Sequence, residues 1–381
     1  MINGPETSSP ALLPMGFVDL LPAEAEAEAR GLAEVMDVFS CHGYERVRPP
    51  LLEFEGSLLS GAGEALAEQS FRLLDPSSHR MMALRPDMTT QIARIAAVRM
   101  QDCPRPLRLS YAGDCVVIGT LGREGQRQIS QAGIELIGPD KAEADAEVIA
   151  LGAEALARLG IANVSFDLSM PVMVWSLIDD SFSGIERESI IHALDRRDAA
   201  AVREHGGPWA ELLLGMMEAV GPASIALKKL ETLNFPAMLR PHVARLKEDV
   251  AAILARLPDA RLTVDPVDFR GWRYHTGVCV TVFAMHSREE LGRGGRYLAG
   301  DEPACGLTLN PQAFLRVAEK PKRRKRCLVP PAMAQKDLSS LHEAGYATIA
   351  SLGESGEMEQ EAHHLRCSHI WRDGKPAILA R

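Results

Sequence analysis

Gln131, Gly133 and Glu135, spaced two apart, are the residues best placed to do chemistry. They belong to Gln128–Ile137, which alternates, with Ala132, Ile134 and Leu136 on the opposite face. A period of two is that of a half-buried strand. The apolar face packs inward; the other shows an amide, then no side chain, then a carboxylate. A small ligand can lie on bare backbone at Gly133 while Gln131 and Glu135 take its donors from either side. Asp87 and Thr89 stand just ahead of a helical run from about Thr90 to Met100. They either cap that helix, a common use of Asp and Thr, or face a ligand in the same cavity.

The element that must position the first three is an antiparallel pair, Leu107–Ile118 and Gln128–Ile137, joined by a loop containing Gly and Arg. Ahead of it come a helix from about Ala23 to His42, with Asp19 as cap and Gly43 as stop, and a strand near Tyr44–Val47. A hairpin follows, Phe71–Asp75 with Met81–Leu84. After the central pair come an acidic helix, Ala142–Leu159, a short strand, Val164–Leu168, and a mainly helical region from Met170 to Leu257. The sheet then resumes at Arg261–Asp265 and continues through Asp268–Gly277 to Val278–Phe283. Gly292–Tyr297 reads as a glycine-rich turn. The basic run Lys320–Arg326 reads as a solvated linker or an anionic contact. Beyond it, short strands and helices alternate to the end of the sequence.

Composition narrows the classes. The chain has 381 residues, 46% of them hydrophobic, and a net charge of −9, which suits a globular protein of two or three domains. Chains that grip nucleic acid by its backbone usually carry a basic surface, so no nucleic acid partner is expected. The seven cysteines are odd in number and never spaced C-x-x-C. Reduced thiols, a cytoplasmic location, no metal and no cofactor follow as expectations. No long apolar run or signal peptide points to a membrane.

The central pair resembles motif 2 of class II aminoacyl-tRNA synthetases in its histidyl form: L-W-Y-x-G-x-x-F-R-x-E, a basic loop, then R-Q-F-H-Q-x-G-x-E. Leu109, Tyr111, Gly113, Arg127, Gln128, Gln131, Gly133 and Glu135 match it. The first helix and strand are similar to motif 1, which builds that family's dimer interface. Arg85-Pro86-Asp87-Met88-Thr89 is similar to R-P-E-G-T, whose acid and threonine hold the amino group of histidine. Arg270, Gly271, Tyr274, Thr276 and Gly277 match the histidine-recognition segment R-G-L-D-Y-Y-T-G, with His275 in place of its second tyrosine. The resemblance thus implies a histidine site of Asp87, Thr89, Arg127, Gln131, Gly133, Glu135, Arg270, Tyr274 and His275.

The ATP side departs from the family. Its F-R-x-E core is Val116, Val117, Ile118 and Gly119, and the arginine of motif 3 is Ala313. Valine has no planar fork for a phosphate. The resemblance therefore implies amino-acid recognition kept and adenylation lost, with no catalytic residue. The implied fold is α+β: a class II synthetase-like antiparallel sheet flanked by helices over residues 1–320, a helical insertion at about 170–260, and a small α/β domain at 327–381. Among histidyl-tRNA synthetase paralogues, the pattern resembles the regulatory subunits of ATP phosphoribosyltransferase. That implies a short-form catalytic subunit as partner, a homodimer within a hetero-oligomer, and L-histidine as feedback ligand. Two other readings stay open, a working histidyl-tRNA synthetase and a histidine sensor serving another partner.

Overall fold

The computed structural model describes residues 13–59, 61–121, 125–179, 181–269, 274–319, 323–353 and 358–379. The chain divides into two compact units, Met1–Glu319 and Lys320–Arg381. The first begins with helix α1 (Pro22–Cys41), strands β1 (Glu45–Arg46) and β2 (Leu52–Phe54), and one-turn helix α2 (Glu55–Leu58). The hairpin β3 (Arg72–Leu74) and β4 (Met81–Leu84) leads to α3 (Thr89–Arg94), then to the long strands β5 (Leu107–Leu121) and β6 (Gln126–Ile137). Helix α4 (Ala142–Arg158) and β7 (Val164–Ser169) follow.

The helical region comprises α5 (Pro171–Asp179), α6 (Gly184–Asp195), α7 (Ala199–His205) and α8 (Ala210–Glu218). A two-residue strand, β8 (Gly221–Pro222), precedes α9 (Ala223–Glu231) and α10 (Arg240–Arg256). The chain then returns to the sheet as β9 (Arg261–Val264), β10 (Cys279–Ala284), β11 (Glu289–Ala299) and β12 (Glu302–Leu309), and ends the unit with α11 (Pro311–Val317). The large sheet runs β1-β5-β6-β12-β11-β10-β7-β9-β8. It is antiparallel except at the pairs β1–β5 and β7–β9. One face buries Ala132, Ile134 and Leu136 with Val35 and Phe39 of α1, Val148 and Leu151 of α4, and Leu246 and Val250 of α10. The other face buries Leu109 and Tyr111 with Met88 and Ile92, from the start of α3.

Several local expectations change. Asp19 does not cap α1; the N-cap position is Leu21, and Pro22 opens the helix, where its missing N–H loses nothing. Gly43, at φ +79, does end it. The helix at Thr89 passes into a π-helical turn, Ile95–Arg99. The described parts of Asp268–Gly277 lie outside any strand, and β10 starts only at Cys279. Gly292–Tyr297 is no turn but the middle of β11. Its glycines let strands approach closely: a Cβ at Gly294 would sit 2.0 Å from the Gly306 carbonyl oxygen, and one at Gly292 2.5 Å from that of Thr308.

Arg296 of that stretch turns away into a buried ion network. Its guanidinium donates to Asp145 Oδ2 at 2.7 and 3.1 Å and to the carbonyls of Pro139 and Lys141. Arg245 of α10 joins from the other side, to Asp145 at 2.8 Å and Asp249 at 2.9 Å. Burial, and then the charge of Asp145, raise the Asp249 carboxyl above its ordinary range. The network pins β11, α4 and α10 together.

The second unit contains β13 (Lys325–Val329), α12 (Gln335–Glu343), β14 (Tyr346–Ala350), α13 (Met358–His364), β15 (His369–Arg372) and β16 (Lys375–Ile378). The sheet order is β14-β13-β15-β16, parallel except at β15–β16. Of the basic run, Lys320–Lys322 lie outside the described residues, while Lys325 and Arg326 open β13. Among the described residues no helix is long and apolar enough to cross a membrane.

Removing one partner from a buried ion cluster leaves the remaining charges uncompensated. Arg296→Met should therefore lower the stability of the first unit by about 3–5 kcal/mol. Chemical denaturation followed by circular dichroism measures this, and an unchanged midpoint would remove the network from the account.

Candidate functional site

The site lies on the face of the sheet opposite the main core. Tyr111 of β5, Gly133 of β6, Thr308 of β12 and Arg293 of β11 pair in one row across the strands. Two residues along, and so on the same face, the next row is Leu109, Glu135, Gly306 and Gly295. A cavity of about 100 Å³ opens over these rows. Of the residues expected from sequence, Asp87, Thr89, Gln131, Glu135, Tyr274 and His275 all line it.

Glu135 is the deepest of them, 1% exposed. Tyr111 donates to its Oε1 at 3.1 Å and Tyr297 to its Oε2 at 2.9 Å. Its carboxyl has room because Gly306 has no side chain; a Cβ there would fall 1.9 Å from Oε2. Burial pushes the group up to about 8, against the opposing effect of the hydroxyl donors, and the nearby Asp87 charge adds to the rise. At neutral pH most of this carboxyl is therefore protonated. It can donate to a ring nitrogen, or ionise when a ligand brings an N–H or a positive charge.

The opposite wall is built at the head of α3. Asp87 Oδ1 accepts the Thr89 backbone N–H at 2.8 Å, and Oδ2 accepts Gln131 Nε2 at 2.8 Å. Gln131 Oε1 in turn accepts the Met88 N–H at 3.1 Å. Asp87 thus fastens the start of the helix and also lines the cavity. Thr89 Oγ1 lies 3.2 Å from the Tyr111 hydroxyl, and Thr308 Oγ1 lies 2.7 Å from it. Tyr274 stacks on His275, ring centroids 4.0 Å apart, and forms the remaining side.

Three expected residues stand differently. Gly133 is not an open floor for a ligand. A Cβ there would meet the Tyr111 hydroxyl at 2.4 Å and its Cζ at 2.5 Å, because the Tyr111 phenol lies across that bare backbone. Arg127 is not brought to the cavity. Its guanidinium sits over the Phe71 ring at 4.6 Å and that of Phe17 at 5.7 Å. Arg270 lies outside the described residues.

A larger cavity of about 580 Å³ adjoins the first and shares Asp87, Thr89, Gln131, Tyr274, Arg293 and Thr308 with it. Val117 and Ala313 are each 1% exposed and line neither cavity. Ion pairs Arg293–Glu290 and Arg316–Glu289 stand in its wall instead.

Comparison with known proteins places this geometry. Residues 16–314 match the family described as histidyl-tRNA synthetase. The ATP phosphoribosyltransferase regulatory subunit of Gluconobacter oxydans is 65% identical over 369 residues, 97% of each chain. That of Rhodospirillum centenum is 45% identical over 98% of each. The chain belongs to the family of ATP phosphoribosyltransferase regulatory subunits.

Solved structures agree on the fold. An ATP phosphoribosyltransferase regulatory subunit/histidyl-tRNA synthetase from Bacillus halodurans superposes with a TM-score of 0.78 at 22% identity, covering 95% of this chain and 97% of that one. A histidyl-tRNA synthetase from Nostoc gives 0.74 at 19% identity, covering 94% and 90%. The α+β class II synthetase-like fold holds for this regulatory-subunit chain.

Within the regulatory-subunit fold, sequence reasoning missed the two tyrosines as site builders, together with Arg293 and Thr308. Tyr111 lay within the matched central pair and Tyr297 at the end of the glycine-rich run, and pairing them with an acid on the same face was the available signal. Arg293 gave none, because a glycine-rich stretch read as a turn has no inward face.

A carboxyl raised by burial favours the folded state while it is protonated. That contribution is complete below the unfolded value near 4.5 and is lost as pH rises through about 8. Glu135→Gln keeps the shape without the titration. The stability of the unmodified chain relative to this variant should fall by a few kcal/mol between pH 5 and pH 9. Thermal melting across that range measures it, and a constant difference would mean that Glu135 stays ionised in the fold.

Proposed function

We propose that the chain is a non-catalytic subunit on which a short ATP phosphoribosyltransferase catalytic subunit depends, in the cytoplasm and in the first step of histidine biosynthesis. It binds L-histidine in the 100 Å³ cavity and relays it as feedback inhibition. The observation that carries this reading is one small cavity lined by two acids that are held differently. Asp87 is fixed by two hydrogen bonds at the rim, suited to an ammonium group. Glu135 is buried and largely neutral, suited to an imidazole ring. Tyr274 and His275 supply an aromatic wall.

Synthetase chemistry is lost on this reading. Apolar Val117 and Ala313 stand where the resembling motifs carry arginines, and phosphoryl chemistry relies on fixed charges where charge develops. The chain pairs with a second copy inside the hetero-oligomer, in line with its motif 1-like helix and strand. The names of its relatives support the assembly with a catalytic partner.

Feedback requires two states of the assembly that bind histidine differently, and the coupling is reciprocal. Mixed with a short catalytic subunit, the chain should confer transferase activity that neither has alone, and histidine should suppress it. Glu135→Ala should leave activation intact while weakening histidine about ten- to a hundredfold, the usual range for a hydrogen bond involving a charged group. A variant complex inhibited at the same histidine concentration would move feedback to another site. Histidine-dependent pyrophosphate exchange by the chain alone would overturn the non-catalytic reading.

A further inference from the structure

The run Gly292-Arg293-Gly294-Gly295 contains one large side chain among three positions that have no room for any. The glycines are explained by the close approach of β11 to its neighbours. Arg293 is not, and the histidine-recognition pattern assigns it no role. It pairs in register with Thr308, whose hydroxyl is bonded to Tyr111, so Arg293 projects from the strand on the face that carries the site. It lines both the 100 Å³ cavity and the 580 Å³ cavity, and so stands at their junction. Asp87 lines both as well. The junction therefore carries one anionic and one cationic side chain.

Glu290 grips the Arg293 guanidinium from the same strand, with Nε to Oε1 at 2.7 Å and Nη2 to Oε2 at 2.7 Å. A single carboxylate engages two of the five donors of a guanidinium, along one edge of its fork. Such a grip fixes the plane of the fork and holds the guanidinium at the junction of the two cavities.

We propose that Arg293 is the specificity residue for the ligand's α-carboxylate. The inference rests on the amino-acid reading of the small cavity. An α-amino acid with an imidazole side chain then meets three complementary groups: its ring at Glu135, its ammonium at Asp87 and its carboxylate at Arg293. The site selects a zwitterion, and discriminates against an imidazole amine that lacks the carboxylate.

Calorimetric titration of the full chain with L-histidine and with L-histidinol, which has a hydroxymethyl group in place of the carboxylate, tests this. The unmodified chain should prefer histidine at least tenfold. Arg293→Met, which keeps the aliphatic stem without the charge, should lose that preference by about ten- to a hundredfold. Its histidinol affinity should change by less than threefold, which also reports an intact fold. Arg293→Lys should recover part of the preference. An unchanged preference in Arg293→Met, with both ligands still bound, overturns the role of Arg293 and leaves the amino-acid reading standing. An unmodified chain that binds neither ligand overturns that reading and this inference with it.

Discussion

The site depends on one constraint, a carboxyl group kept far from water on the surface of a sheet. Glu135 is 1% exposed, and an isolated charge at that depth is expensive enough that the group takes up a proton instead. The surrounding sequence is arranged to make this tolerable. Tyr111 and Tyr297 each give a hydroxyl to one carboxylate oxygen. Gly133 is bare so that the Tyr111 phenol can lie flat, and Gly306 is bare so that the carboxyl can turn toward Tyr297. Asp87, Thr89 and Gln131 then close the rim through bonds that also fix the start of α3. Altering any of these residues changes how Glu135 is held, even without contact to a ligand.

The opposite face handles buried acid differently. Asp145, 2% exposed, is met by two guanidiniums, those of Arg296 and Arg245. That network ties elements together, and its residues line neither of the two cavities. Among the described residues no cation bonds to Glu135, and its donors are hydroxyls. A buried acid met by full positive charges is already neutralised, whereas one matched by neutral donors still gains from a ligand that brings an N–H or a charge. The unequal treatment of the two acids in one sheet marks which one is meant to be approached.

Much of the architecture was legible in the sequence. The alternation of Gln128–Ile137 put Gln131 and Glu135 on the face away from the main core, because side chains alternate along a strand, although from Ser130 to Ile137 both faces are buried rather than one. Gly43 ended the first helix at φ +79, as its backbone freedom allows. What failed was whatever depended on neighbours distant in sequence. Gly133 looked like open floor because nothing local shows that Tyr111, its partner across the strand pair, needs that space. Arg127 looked like a ligand contact, yet two aromatic rings, Phe17 and Phe71, draw it away. Gly292–Tyr297 looked like a turn because glycine count carries no periodicity, while the reason for those glycines is the Gly306 and Thr308 backbone beside them. The same error hid Arg293.

The positions that separate this chain from the synthetase pattern are packed, not merely substituted. Val117 is 1% exposed, and its backbone bridges to Ser70, itself fully buried. Ala313 is 1% exposed at the start of α11, beside Phe314, which packs so closely on Gly31 of α1 that a Cβ there would sit 3.0 Å from its ring. An arginine placed at either position would have to bury a guanidinium in this packing, and a buried charge left unpaired is among the most destabilising changes a core can suffer. Both apolar residues thus contribute to stability independently of any ligand. Regaining a phosphate-gripping side chain would require the surrounding core to change with it, so the missing charges are held in place by packing as firmly as Glu135 is held by its tyrosines.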